Sequence, residues 1–151
     1  MIAGAQDKNI YLTYDNGGSS DKNCLIRWKP DGTEPVYLTG GNSTLCSGTA
    51  HGLKIAEEGG EVYLYHANNN QKLTKTTLDG TIVWCPRSLV IRGGDDCVYT
   101  RQKNGNFGQD PSAPYRPTWF ATPDKSEYIY LCDGYGSNNV YVFNRGVPAL
   151  L

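Results

Sequence analysis

The sequence predicts an all-β protein built of antiparallel four-stranded propeller blades, about two and a half to three blades per chain. Three observations predict it. Three stretches repeat: NIYLTYDNGG from Asn9, EVYLYHANNN from Glu61 and YIYLCDGYGS from Tyr128. In each, β-branched and aromatic residues alternate with others and end in a turn rich in Asn, Asp and Gly, the pattern of a strand and its turn. Each repeat then runs into a second strand, in CLIRWKPDG, KLTKTTLDG and NNVYVFNRG. Finally, 18 Gly, 8 Pro and 11 Tyr against one Met describe a turn-rich β protein rather than a helical one.

Taken in order, each repeat supplies strands a, b, c and d joined by short turns, which is the plan of a propeller blade. In the first repeat MIAGAQ is a poor strand a, followed by the strands of NIYLTYD, CLIRW and EPVYL. The second begins with HGLKIAEE and closes with TIVWC. The third begins with PTWFATPD and shows no strand d before VPALL. The expected total is about ten strands. The step from Gly32 to Gly80 is close to blade periods of roughly 40–50 residues. The step from Tyr63 to Tyr130 is longer, so an insertion precedes the third repeat. One incomplete domain, 1–151, is expected, with repeats at roughly 1–43, 44–90 and 115–151 and a polar, Gly-rich insertion loop at 86–116. An open set of blades exposes apolar faces and strand edges. Either missing blades of a longer protein or a second copy is therefore expected to complete the ring, and two three-blade halves would make six. A ten-stranded β-sandwich is the competing architecture, but it leaves the repeats unexplained.

The net charge is −1, which supplies no field for a nucleic acid or a membrane surface. No window holds the roughly 18 apolar residues of a membrane span. MIAGAQDKN has neither a basic n-region nor an apolar h-region, so no signal peptide is expected, and the compartment stays open. The five cysteines, Cys24, Cys46, Cys85, Cys97 and Cys132, are odd in number and form no CxxC. Free thiols in a reducing compartment are the expectation, not a zinc ribbon.

Two strings carry a family resemblance: HGL from His51, and YRPTWFATPDKSEYIYLCDGYGSNNVYVFNRG from Tyr115. They resemble the NHL-type propeller repeat. More narrowly, residues 45–146 resemble part of the peptidyl-α-hydroxyglycine α-amidating lyase domain, a six-bladed propeller. The resemblance implies that His51 is a zinc ligand and Tyr135 catalytic, and it admits calcium as a second metal. This chain also departs from that family. The family's zinc is held by three histidines from separate blades, and this chain has two histidines, His51 and His66. The family's catalytic arginine has no counterpart. Tyr115 and Gly136 stand where the family has a disulfide, and Trp119 replaces an aspartate.

In a propeller the b–c and d–a loops share one face, so His51, His66, Asp133 and Tyr135 are expected to gather there. Asp133, Tyr135 and Asn68 are the candidate ligand-binding residues. Asn16 and Asn68 hold the place of Tyr135 in the sister repeats, so the tyrosine is the unusual residue. Asp133 and Gly134 also suit plain turn chemistry. A turn near EEGG, with Glu57 opposite Gly60, puts His51 opposite His66. Cross-strand Cβ atoms lie roughly 4.5–5.5 Å apart, close enough to share a metal. The blander alternative is two half-exposed histidines bonded to loop backbone. Asp31–Gly32 and Asp79–Gly80 mark turns, and RGGDD at 92–96 a solvated loop. GNST and GSNN fall short of a phosphate-cradling loop. The sequon Asn42–Thr44 matters only in a secreted chain.

The leading functional expectation is a non-catalytic repeat module that binds a peptide, small ligand or protein partner on its loop face and self-associates. The rival is a zinc-dependent lyase-like enzyme acting on a hydroxyglycine-extended peptide, with Tyr135 taking a proton. A truncated product without activity is the third.

Overall fold

The computed structural model describes residues 2–4, 8–15, 24–38, 50–69, 72–84, 116–123, 125–135 and 139–144. Among them are eleven strands in three antiparallel sheets and no helix. The first sheet runs β1 (Ile2–Gly4), β2 (Ile10–Thr13), β3 (Leu25–Trp28), β4 (Val36–Tyr37), neighbour to neighbour. The second runs β5 (Ala50–Glu58), β6 (Glu61–Asn68), β7 (Lys72–Thr77), β8 (Ile82–Trp84) in the same way. The third joins β9 (Trp119–Ala121), β10 (Tyr128–Cys132) and β11 (Val140–Asn144), with β10 in the middle. The a-b-c-d order of the first two repeats, and the a-b-c order of the third, is thus realised as a meander. The MIAGAQ segment does form a strand, which brings the number above the expected ten. No described helix is long and apolar enough to cross a membrane.

The turns show why the repeats are alike. KPDGT at 29–33 and TLDGT at 77–81 make the same turn. Lys29 N–H donates to Thr33 O at 3.0 Å, and Gly32 N–H to Lys29 O at 2.9 Å. In the sister turn Thr77 N–H donates to Thr81 O at 2.9 Å, and Gly80 N–H to Thr77 O at 3.1 Å. Each aspartate closes its turn from within. Asp31 Oδ1 accepts from Thr33 N–H and Oγ1–H, at 2.9 and 2.6 Å. Asp79 Oδ1 accepts from Thr81 N–H at 3.1 Å and from the Thr77 hydroxyl. The hydroxyl bonds, from Thr33 and Thr77 respectively, hold both carboxyls below the usual aspartate range. These aspartates are turn residues.

The second sheet is the middle layer. Successive side chains of a strand point to opposite faces, and here both faces are apolar. Leu53 and Ile55 of β5 and Leu64 of β6 pack with Tyr11, Cys24 and Leu25 of the first sheet's side. Ala56, Tyr63, Tyr65 and Ala67 pack with Phe120, Ile129, Leu131 and Tyr141 of the third sheet. The Tyr65 and Phe120 rings meet edge to face at 5.8 Å, a contact worth about 0.5–1.5 kcal/mol beyond burial. In a two-layer sandwich each sheet turns one face to solvent, so the stack accounts for the apolar run VYLY in β6 and the burial of His66 beside it.

Two expectations are corrected. The β5–β6 hairpin turns on Gly59 and Gly60, both with positive φ (61° and 88°), as a two-residue primed turn needs. Glu58 therefore pairs with Glu61, and Leu53, not His51, lies opposite His66. Placing the turn one residue early caused the error. Second, Cys24 is disulfide-bonded rather than a free thiol, and its partner lies outside the described residues; Cys132 is free. Disulfide pairing depends on closeness in space, which the spacing of these cysteines does not disclose. The expected strand a of the first repeat is present as β1, three residues long. The insertion 86–116 (Arg116 apart), Asp95 and Asp96, the sequon 42–44, Asn16 and Tyr115 lie outside the described residues.

Candidate functional site

Because the meanders are antiparallel, the starts of β5 and β9 share one end of the stack with the β6–β7 and β10–β11 turns. Three short motifs meet there: His51–Gly52, Arg116–Pro117–Thr118 and Asp133–Gly134–Tyr135. The hub is Thr118, just before β9. Its N–H and hydroxyl both donate to Cys132 O, at 2.9 and 3.1 Å, which ties it to the end of β10. Its own carbonyl lies 3.2 Å from His51 Nδ1.

A β-bulge lets His51 reach that carbonyl. Ala50 pairs with Asn68 and Gly52 with Ala67, so His51 is the extra residue on β5. A bulge re-aims the side chain it carries. Alternation from Leu53 would have turned His51 toward the first sheet, but it turns to the third instead. Gly52 makes the approach possible, since a Cβ there would stand 2.5 Å from Thr118 O and 3.0 Å from Trp119 Cα. The glycine of HGL is therefore a packing requirement.

The carbonyl can only accept, so His51 Nδ1 carries the hydrogen. In the neutral imidazole the lone pair then sits on Nε2, which has no hydrogen-bond partner among the described residues. Over this imidazole lies the Tyr135 ring, edge to face, with centroids 5.3 Å apart and planes at 72°. Tyr135 is 62% exposed, the most open of the large hydrophobic side chains described. The site thus presents an aromatic ring, a phenol hydroxyl and an imidazole acceptor to the outside, on a backbone held by Thr118.

The other predicted residues lie elsewhere or do other work. Asp133 is buried; its Oδ1 accepts from Arg116 N–H at 2.5 Å, and its N–H donates to Asn139 O at 3.0 Å. It clamps the β10–β11 turn to the segment before β9. Asn68 is also buried, at the end of β6. His66 shares the face of Leu64, toward the first sheet, and is only 4% exposed. Its Nε2 lies 2.9 Å from Thr76 Oγ1, and Nδ1 has no partner among the described residues. Burial lowers its pKa to about 3, so it stays neutral.

The two predicted metal ligands are therefore not cross-strand neighbours, and alternation and bulge turn them to opposite faces of the second sheet. Among the described residues no three His, Cys, Asp or Glu side chains come together to hold a metal. A catalytic zinc typically takes three protein ligands and an open position. The residues described do not fit the three-histidine centre that the resemblance implies. Sequence reasoning singled out His51 and Tyr135, and they are in contact. It missed Thr118, whose role runs through a backbone carbonyl that every residue type has. Comparison with family models, curated proteins and solved structures gives no match.

Proposed function

We propose that the chain is a β-propeller-type repeat module whose three sheets act as blades, and that it binds a peptide at the end where His51 and Tyr135 meet. The observation that carries this is the exposed Tyr135 ring packed on a half-buried His51 whose Nε2 is left open. Exposed aromatic residues on loops held by a rigid scaffold are common recognition elements. The phenol ring offers apolar area with little side-chain entropy to lose. The imidazole lone pair accepts a hydrogen bond from a peptide N–H or hydroxyl. No step of covalent chemistry is assigned, and no three-ligand metal centre assembles among the described residues.

Selection from a phage-displayed peptide library tests the reading. Wild type is expected to enrich a peptide class that Tyr135→Ala binds about tenfold or more weakly. No enrichment, or equal affinity in the variant, overturns it. Zinc titrated calorimetrically into wild type and His51→Ala checks the enzymatic rival. Equal, weak heats are expected, whereas a stoichiometric zinc heat that His51→Ala loses would favour the rival.

A further inference from the structure

The repeat determines which way each sheet face looks. Tyr11, Tyr63 and Tyr130 hold one position in β2, β6 and β10, and Leu12, Leu64 and Leu131 hold the next. Tyr11 packs toward the second sheet, and Tyr63 lies against the core shared with the third. Leu64 turns the other way, to the core shared with the first sheet, and Leu131 to the core shared with the second. Each sheet thus shows its tyrosine side to the sheet that follows and its leucine side to the sheet before.

Two such faces lack a neighbouring sheet among the described residues. One is the tyrosine side of the third sheet. Its register sets Trp119, Cys132 and Val140 in one row, and Ala121, Tyr130 and Val142 in the next, with Tyr128 beyond. None of these side chains carries a charge, and Trp119, Tyr128 and Val140 are 37%, 38% and 60% exposed. The other is the leucine side of the first sheet. There Leu12, Ile26 and Tyr37 form one row, with Ile10 and Trp28 beside it. Ile26, in the middle of the row, is 9% exposed, and Tyr37, at the sheet edge, is 56% exposed.

We propose that the tyrosine side of the third sheet docks on the leucine side of the first sheet of a second copy, and the reverse, so that two chains close one ring. The junction continues an interface that the chain builds twice within itself, between its first and second sheets and between its second and third. The two faces differ, so the contact is heterologous. A heterologous contact ends either in a closed ring or in an open filament. Two chains, each with the three described sheets, make six, inside the range of four to eight blades in which propellers close. The inference rests on the blade reading above.

Sedimentation equilibrium tests it, using wild type, Val140→Lys and Tyr37→Lys. Both substituted residues are exposed, so each variant is expected to keep its fold, which circular dichroism checks. Wild type should weigh twice the 16.6 kDa chain mass, and each variant alone should fall to half that. Mixed in equal amounts at raised concentration, the two variants should pair again, because each supplies the face that the other lacks. A monomeric wild type overturns the proposal. So does a dimer that Val140→Lys breaks but Tyr37→Lys spares, since like faces would then be pairing. Failure to pair on mixing overturns it too. Tyr135→Ala should leave the mass unchanged, which separates this result from that of the binding site.

Discussion

Protonating His66 would put a charge between two sheets, where Thr76 Oγ1 is its hydrogen-bond partner among the described residues. Its folded pKa, lowered to about 3 by burial, lies below the ordinary histidine value. Between the two values the unfolded chain holds a proton that the folded chain refuses. Stability is therefore complete above about pH 6.5 and falls by about 1.4 kcal/mol per pH unit toward pH 3. Urea unfolding near pH 7 and near pH 5 should show a larger loss for wild type than for His66→Gln. Equal losses would mean that His66 is not buried in its neutral form. Gly52 offers a second test at this scale. A methyl group at 2.5 Å from Thr118 O must move backbone on one side or the other. Gly52→Ala should cost about 1–3 kcal/mol, measured by denaturant unfolding, and should weaken the His51–Tyr135 contact. A neutral effect would mean that β5 and β9 do not approach as described.

Among the elements, the second sheet is braced across three of its strands by one largely buried ion pair. Lys75 Nζ on β7 lies 2.5 Å from Glu58 Oε2 at the end of β5, and their side chains are 8% and 15% exposed. The Tyr65 hydroxyl on β6 donates to the same carboxylate, and the ammonium sits 3.9 Å from the Tyr63 ring centroid. Removing one partner leaves the other buried and unpaired. Glu58→Ala should cost about 3–5 kcal/mol, whereas Glu58→Leu combined with Lys75→Met should cost markedly less. A double variant as unstable as the single one would contradict this account of the pair. These strands were legible in the sequence because alternation and the Asn/Asp/Gly turns mark them independently of the rest of the fold. The register was not. In EEGG either glycine can sit at more than one turn position, and a shift of one residue changes every cross-strand partner. The bulge at His51 is equally silent, since nothing in AHGL distinguishes it from regular strand.

Across the whole molecule, the stack of three sheets explains why β6 is apolar on both faces and why the repeats share their tyrosine and leucine positions. The repeats were visible as sequence, and the contact of His51 with Tyr135 followed from the end of the stack that each occupies. Thr118 and the Cys24 disulfide were hidden, because a carbonyl and a partner brought close only by folding leave no local signature. The claim on which the rest depends is that the second sheet lies between the other two. A nuclear Overhauser experiment on the folded chain tests it directly. Leu64 should show contacts with Tyr11 on one side while Tyr65 shows contacts with Phe120 on the other. Contacts on one side alone would leave a two-layer fold and contradict the account.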